Sequence, residues 1–324
     1  MPRRPALLAV SLLAAATAAC EGKAESPRIA PALGPAPPGG ELVFEREVAG
    51  HTRLFVIPAG GGPERRLTDG PAHDTLPRWS PDGARVVFTS DRTGKPQLWE
   101  VAAEGGPARR LRANDATEYQ ADVSPDGKRL AFLSDLDGPE RLLVQDLALG
   151  AVREIVRHGD RTIFGNPHWS PDGRSIAYSS NHRIGHQVYV ADVATGEERR
   201  ISPLTSGGCE PRFSRDGRRV VYVSRDHVRG TSRLVEHDLA TGGEKALVSW
   251  PALNYDPVYS PDGAELAFAS NVTGAYAVYR QRLSDGQAWR VTFGPGSARS
   301  PDYRPGPRPC GSLASPVPGP VRGP

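Results

Sequence analysis

The chain is a succession of short apolar runs separated by breaks rich in Gly, Pro and Asp. Arg85-Val86-Val87-Phe88, Leu130-Ala131-Phe132-Leu133, Ile176-Ala177-Tyr178, Val220-Val221-Tyr222-Val223 and Leu266-Ala267-Phe268-Ala269 are β-branched and aromatic, and too short for amphipathic helices. Such runs predict strands buried on both faces. Each follows a turn of one kind: Ser80-Pro81-Asp82-Gly83, Ser124-Pro125-Asp126-Gly127, Ser170-Pro171-Asp172-Gly173, Ser214-Arg215-Asp216-Gly217 and Ser260-Pro261-Asp262-Gly263. Pro presets φ, Asp bonds its own backbone and Gly takes the positive φ, so this text is turn chemistry rather than a site.

Successive serines of these turns are 44, 46, 44 and 46 residues apart, the repeat length of a four-stranded propeller blade. Within a unit, strand A ends in an aromatic (Pro77-Arg78-Trp79, Pro167-His168-Trp169, Pro211-Arg212-Phe213, Pro257-Val258-Tyr259), and its proline suits a sheet edge or a strand start. Strand B is the apolar run. Strand C alternates in part, as in Gln187-Val188-Tyr189-Val190-Ala191-Asp192, and strand D is short and basic, as in Arg109-Arg110-Leu111, Arg199-Arg200-Ile201 and Lys245-Ala246-Leu247. Basic outer strands are expected to protect an exposed edge. At the N-terminus, Glu41-Leu42-Val43-Phe44, Arg53-Leu54-Phe55-Val56-Ile57 and Arg65-Arg66-Leu67-Thr68 match strands B, C and D without a preceding A. The missing strand is Pro301-Asp302-Tyr303-Arg304-Pro305 at the other end. The expected fold is therefore an all-β, six-bladed β-propeller over Glu41–Pro305, closed by a C-terminal strand that joins the N-terminal blade.

The flanks differ in composition. Residues 1–19 read as an export signal, with Arg3 and Arg4 before the apolar Ala6–Ala16. Thr17-Ala18-Ala19-Cys20 resembles the lipobox of bacterial lipoproteins, which implies acylation of Cys20 and a membrane association through lipid alone; cleavage after Ala16-Thr17-Ala18 is the alternative. Residues 20–40 read as a flexible tether and 306–324 as a disordered Pro/Gly-rich tail. Besides Cys20 there are only Cys209 and Cys310, which fall in different repeats; free thiols are expected, with a disulfide as the other possibility. Lys and Arg total 40 against 37 Asp and Glu, so there is no basic surplus for nucleic acid.

The aromatic-Ser-Pro-Asp-Gly repeat, with Ser90-Asp91, Ser134-Asp135, Ser180-Asn181 and Ser270-Asn271 at the second turn, resembles the WD40-like repeat of the TolB-type β-propeller family. That resemblance implies a periplasmic propeller, here lipid-anchored, in the outer membrane by preference. TolB itself resembles a propeller carrying a further N-terminal α/β domain; a tether stands in its place here, so the partner is expected to be another envelope protein or peptide.

Candidate chemistry is sparse. The nearest approach to a Gly-x-Ser-x-Gly nucleophile elbow, Gly173-Arg174-Ser175-Ile176-Ala177, lacks the last Gly, and no catalytic residue or cofactor is assigned. His182 and His186 are four apart on a hairpin turn, where that spacing aligns nothing, and read as solvated histidines rather than metal ligands; Asp135-Leu136-Asp137-Gly138 reads as a plain turn. The residue after the strand A proline gives a channel ring of Arg78, Asp122, His168, Arg212, Val258 and Asp302. The loops from strand D to the next strand A carry His73, Asp74, Glu118, Tyr119, Phe164, Asn166, Glu210, Tyr255, Asp256 and Arg299, the expected partner-binding face. A non-catalytic binding scaffold is the primary expectation. The rival is a hydrolase or lyase acting on a glycan or lactone in the channel, using His168, Arg78 and Arg212.

Overall fold

The computed structural model describes residues 29–30, 40–136, 138–183 and 185–306. They form six sheets, each built on four antiparallel strands A to D from the channel outward, and the sheet of blade 6 carries a fifth, parallel strand on its outer edge. The inner strands are Ala298–Tyr303 in blade 1, then Asp74–Trp79, Glu118–Val123, Phe164–Trp169, Cys209–Phe213 and Asn254–Tyr259 in blades 2 to 6. Each A strand touches the next, and the last touches the first, so the ring is closed.

Closure is by the C-terminal strand. Ala298–Tyr303 runs antiparallel to Glu41–Val48, with Leu42 opposite Tyr303 and Arg46 opposite Ala298. Arg304 adds an ion pair to Glu41 at 2.6 Å and donates to the Gly83 carbonyl at 3.0 Å, tying the strand to both of its neighbours.

The core is divided into six apolar clusters, one in each cleft between blades. One position of strand B is aromatic in every blade, as Phe44, Phe88, Phe132, Tyr178, Tyr222 and Phe268, each at most 1% exposed. Cutting one of these rings back to alanine should cost about 3–5 kcal/mol. Because both faces of a blade pack on neighbours, strand C of blade 4 is buried from Gln187 to Ala191, and the partial alternation expected of it is absent.

The turn serines and aspartates are used as their chemistry suggests. Ser80 Oγ bonds Asp82 and accepts the Arg85 N–H at 2.9 Å, while Asp82 Oδ1 accepts the Ala84 N–H at 3.0 Å. At the second turn, Asp91, Asp135, Asn181 and Asn271 each accept the N–H of the residue just before a strand A, at 2.6 to 2.8 Å.

Three expectations are refined or changed. The prolines lie on strand A, an edge of its sheet as expected, but inside the strand, at a β-bulge present in all six blades. The first residue of each bulge has positive φ without being glycine: Leu76, Gln120, Asn166, Glu210, Asp256 and Ser300, at 51° to 55°. Second, several basic residues on or near strand D staple blades rather than merely guarding an edge. Arg65 donates to the Ala103 carbonyl at 2.8 Å and Arg199 to the Leu239 carbonyl at 3.0 Å, each in the following blade, and Arg153 bonds the Val193 carbonyl in the same way. Third, within the stretch expected as tether, Ile29–Ala30 pairs in parallel with Ala288 and Trp289 of the outermost strand of blade 6.

Candidate functional site

The bulges build the channel mouth. With φ positive, the bulge N–H leaves its own ladder and turns toward the preceding blade. Leu76 N–H donates to Glu45 Oε2 at 2.6 Å, Asn166 to Gln120 Oε1 at 2.6 Å, Asp256 to Glu210 Oε2 at 2.6 Å, and Ser300 to Asp256 Oδ2 at 3.1 Å. The bulge repeats in every blade and carries the acceptors Gln120, Glu210 and Asp256 to the mouth, while Glu45 comes from strand B.

On the side of blades 5, 6 and 1 these acceptors are all acidic. Glu45, Glu210 and Asp256 share one region with Arg299, whose Nε is 3.4 Å from Asp256 Oδ2. The Arg299 guanidinium lies over Tyr276 at 4.8 Å and Tyr255 at 5.3 Å, and Arg225 lies over Tyr255 at 5.9 Å. Burial, and then the neighbouring Asp256 charge, push the Glu210 carboxyl up to about 7 and raise that of Glu45 as well. The same carboxylates hold the Arg299 guanidinium firmly charged, above its ordinary value, although burial opposes them. Beside them Cys209 has no cysteine partner among the described residues, and burial raises its thiol to about 12.

Of the residues expected on the binding face, Glu210, Tyr255, Asp256 and Arg299 come together here. Asp74 and Glu118 do not. They are 0% and 1% exposed and hold Arg92 and Arg112 in ion pairs of 2.6 and 2.8 Å, as supports of their own loops. Phe164 is 3% exposed and packs in the core between blades 3 and 4. Tyr119 is half-buried and bonds Glu140, Asn166 is partly exposed, and exposed His73 lies beside His51, with ring centroids 5.4 Å apart and planes tilted by 49°. Glu45, Arg225 and Tyr276 were missed because they come from strands B and from the turn between B and C, not from the loops between D and A.

Deeper in the channel, Arg78, Asp122, His168 and Asp302 interact with one another, and most of them are spent on the fold. Asp302 Oδ2 accepts the Trp79 N–H at 2.8 Å, Asp122 Oδ2 the Trp169 N–H at 2.8 Å, and His168 Nδ1 the Phe213 N–H at 3.2 Å. Arg78 and Arg212 each bond the carbonyl of the proline before them, at 2.8 and 2.9 Å. Burial pushes Asp122 and Asp302 up to about 6, and burial followed by the Arg78 charge pushes His168 down to about 4. The ring is thus a set of inter-blade links whose charges largely balance.

The signature of the TolB beta propeller domain matches residues 3–160 and 150–308. The chain belongs to the TolB β-propeller family. In three dimensions it is similar to TolB from Acinetobacter baumannii, with a TM-score of 0.74 over 82% of this chain and 67% of that one, at 19% identity. It is also similar to a putative TolB from Agrobacterium tumefaciens, with a TM-score of 0.63 over 81% of this chain and 91% of that one, at 18% identity. In sequence it is 29% identical over 151 residues to the uncharacterized peptidase YuxL of Bacillus subtilis, covering 36% of this chain and 23% of that protein. The chain thus spans about a quarter of that relative's length.

On this propeller the face of the Ser-Pro-Asp-Gly turns carries a cleft of about 800 Å³, between blades 2 and 3, lined by Ser80, Asp82, Leu111, Pro125 and Pro305 among others. Its Ser80 and Asp82 already bond each other and the turn backbone, so these two polar groups are committed to local structure. The cleft therefore does not displace the loop face as the candidate surface. His186 is not brought to His182. Instead His182 meets His158 and Glu198, so the histidine read as solvated has a carboxylate beside it after all. Asp137, Cys20 and Cys310 lie outside the described residues.

Proposed function

We propose that this TolB-family propeller is a periplasmic binding scaffold that captures an envelope protein or peptide through the mouth formed by blades 5, 6 and 1, with no catalysis of its own. The observation that carries the reading is the gathering of Glu45, Glu210 and Asp256 around Arg299 between two tyrosine rings. Three crowded carboxylates, one of which titrates near neutrality, are short of positive charge, and a basic side chain of a partner would supply it. Tyr255 and Tyr276 offer the flat, partly exposed rings on which such a side chain stacks. The channel enzyme has less support, since Asp122, His168 and Asp302 are occupied in holding neighbouring blades together.

Tyr255→Ala combined with Tyr276→Ala should abolish retention of the partner in an affinity pull-down from the envelope, while circular dichroism shows the propeller intact. Asp126→Lys with Lys128→Glu, a charge exchange on the turn face, should retain it. Loss in the second variant with retention in the first would place binding on the other face. The reading also includes an anchor at Cys20: Cys20→Ser should move the chain from the membrane to the soluble periplasmic fraction, and a variant that stays wholly with membranes would refute the anchor.

A further inference from the structure

Between blades 3 and 4, away from the channel, three side chains from separate elements converge. His158 comes from the loop between the blades, His182 from the turn after strand B of blade 4, and Glu198 from its strand D, Glu198–Arg200. The two imidazoles are stacked, with centroids 3.7 Å apart and planes 7° apart. Both present Nε2 to the same carboxylate: His158 Nε2 is 3.2 Å from Glu198 Oε2 and His182 Nε2 is 3.3 Å from Glu198 Oε1. All three donor atoms lie within 4.8 Å of one another. We propose that His158, His182 and Glu198 form a binding site for a divalent transition metal of the zinc class, clipping blade 3 to blade 4.

The tautomer supports this. His182 Nδ1 is 3.1 Å from Ser180 Oγ, which leaves Nε2 as the lone-pair nitrogen once Nδ1 donates. That Nε2 is buried and forms no hydrogen bond. In that tautomer Nε2 turns a lone pair toward a carboxylate oxygen, an arrangement that a cation between the two would satisfy. A metal ion fits the spacing of each histidine with the carboxylate, because ligand atoms about 2.0–2.2 Å from zinc lie little more than 3 Å apart, as each Nε2 does from its Glu198 oxygen. The outer shell is also present: the Tyr178 hydroxyl donates to Glu198, Phe164 stacks on His158 at 5.6 Å, and Tyr189 closes over His182 at 4.5 Å. Side-chain exposures of 9% to 19% leave a route for entry and room for a fourth ligand from solvent. Two imidazoles and a carboxylate suit zinc and its neighbours in the first transition row, not magnesium.

The test is titration of the full, untagged chain, freed of metal by chelation, with Zn²⁺ alone, read by calorimetry and by the melting temperature. One Zn²⁺ should bind per chain and raise the melting temperature. His182→Gln and Glu198→Gln should each weaken that binding by about 100-fold or more, and Ser180→Ala by about 10-fold through the freed imidazole. His186→Gln, four residues from His182 and outside the cluster, should bind as the unaltered chain does. Absence of saturable Zn²⁺ binding overturns the proposal, as does equal binding by the His182 and Glu198 variants. Should His182→Gln fail to fold, Ser180→Ala and Glu198→Gln still decide it.

Discussion

The backbone N–H of Asp256 donates to Glu210 Oε2 at 2.6 Å, so an acid of blade 5 holds the strained bulge of blade 6. The link is made in a crowded place, beside Arg299 and near the Glu45 carboxyl. Raising Glu210 to about 7 means that the folded protein keeps a proton there which the unfolded chain has already lost above its ordinary value of 4.5. Stability through this group is therefore greatest at low pH and falls as pH rises toward about 7. Glu210→Gln keeps an acceptor for the Asp256 N–H and removes the charge. The variant should match the unaltered chain at pH 4.5 and exceed it at pH 8 by about 1–2 kcal/mol, after allowance for partial exposure, in urea denaturation at the two pH values.

His168 has the opposite sign. Its folded value is pushed down to about 4, so between there and 6.5 the unfolded chain binds a proton that the folded chain refuses. Stability through His168 is complete above about 6.5 and is lost as pH falls toward 4. His168→Asn retains an acceptor for the Phe213 N–H without a titrating ring. It should gain on the unaltered chain at pH 4.5 and show no such gain at pH 8, which the same denaturation curves would reveal.

Ring closure rests on a strand that is distant in sequence. Ending the chain before Arg299 removes the partner of Leu42 and Val43, the Asp302 acceptor of the Trp79 N–H, and the ion pair of Arg304 with Glu41. Cooperative thermal unfolding should then be lost. Ending it after Gly306 leaves every one of these contacts, and the melting temperature should move by no more than a few degrees. Equal melting of both truncations would contradict closure by this strand.

The propeller was legible because its signals are local and repeated. A Ser-Pro-Asp-Gly turn needs its residues for backbone reasons wherever it stands, so five copies in register specify five blades, and Asp302-Tyr303 at one end answers the missing strand at the other. The site was only half legible. Glu210, Tyr255, Asp256 and Arg299, expected in the loops before strand A, stand in the first half of strand A itself, and Asp74, Glu118 and Phe164 begin the same strand in other blades but are buried. Nothing local separates Asp74, which takes Arg92 as a buried partner, from Asp256, which stays at the mouth with Arg299. The bulge was invisible for a related reason. Leu76 is a poor residue for positive φ, and only the acceptor waiting on Glu45, 31 residues earlier, explains it. His158 and Glu198, 40 residues apart, meet only because adjacent blades pack face to face.

The central claim, that the mouth at blades 5, 6 and 1 is the working surface, is tested most directly by photo-crosslinking in intact cells. A benzophenone amino acid replaces Tyr276 at the mouth in one strain and Lys128 on the turn face in another, and crosslinked species are resolved by size and identified by mass spectrometry. The account predicts one discrete, saturable adduct from position 276 that disappears when Glu210→Lys is added, and none from position 128. A discrete adduct from position 128 with none from position 276 would contradict it.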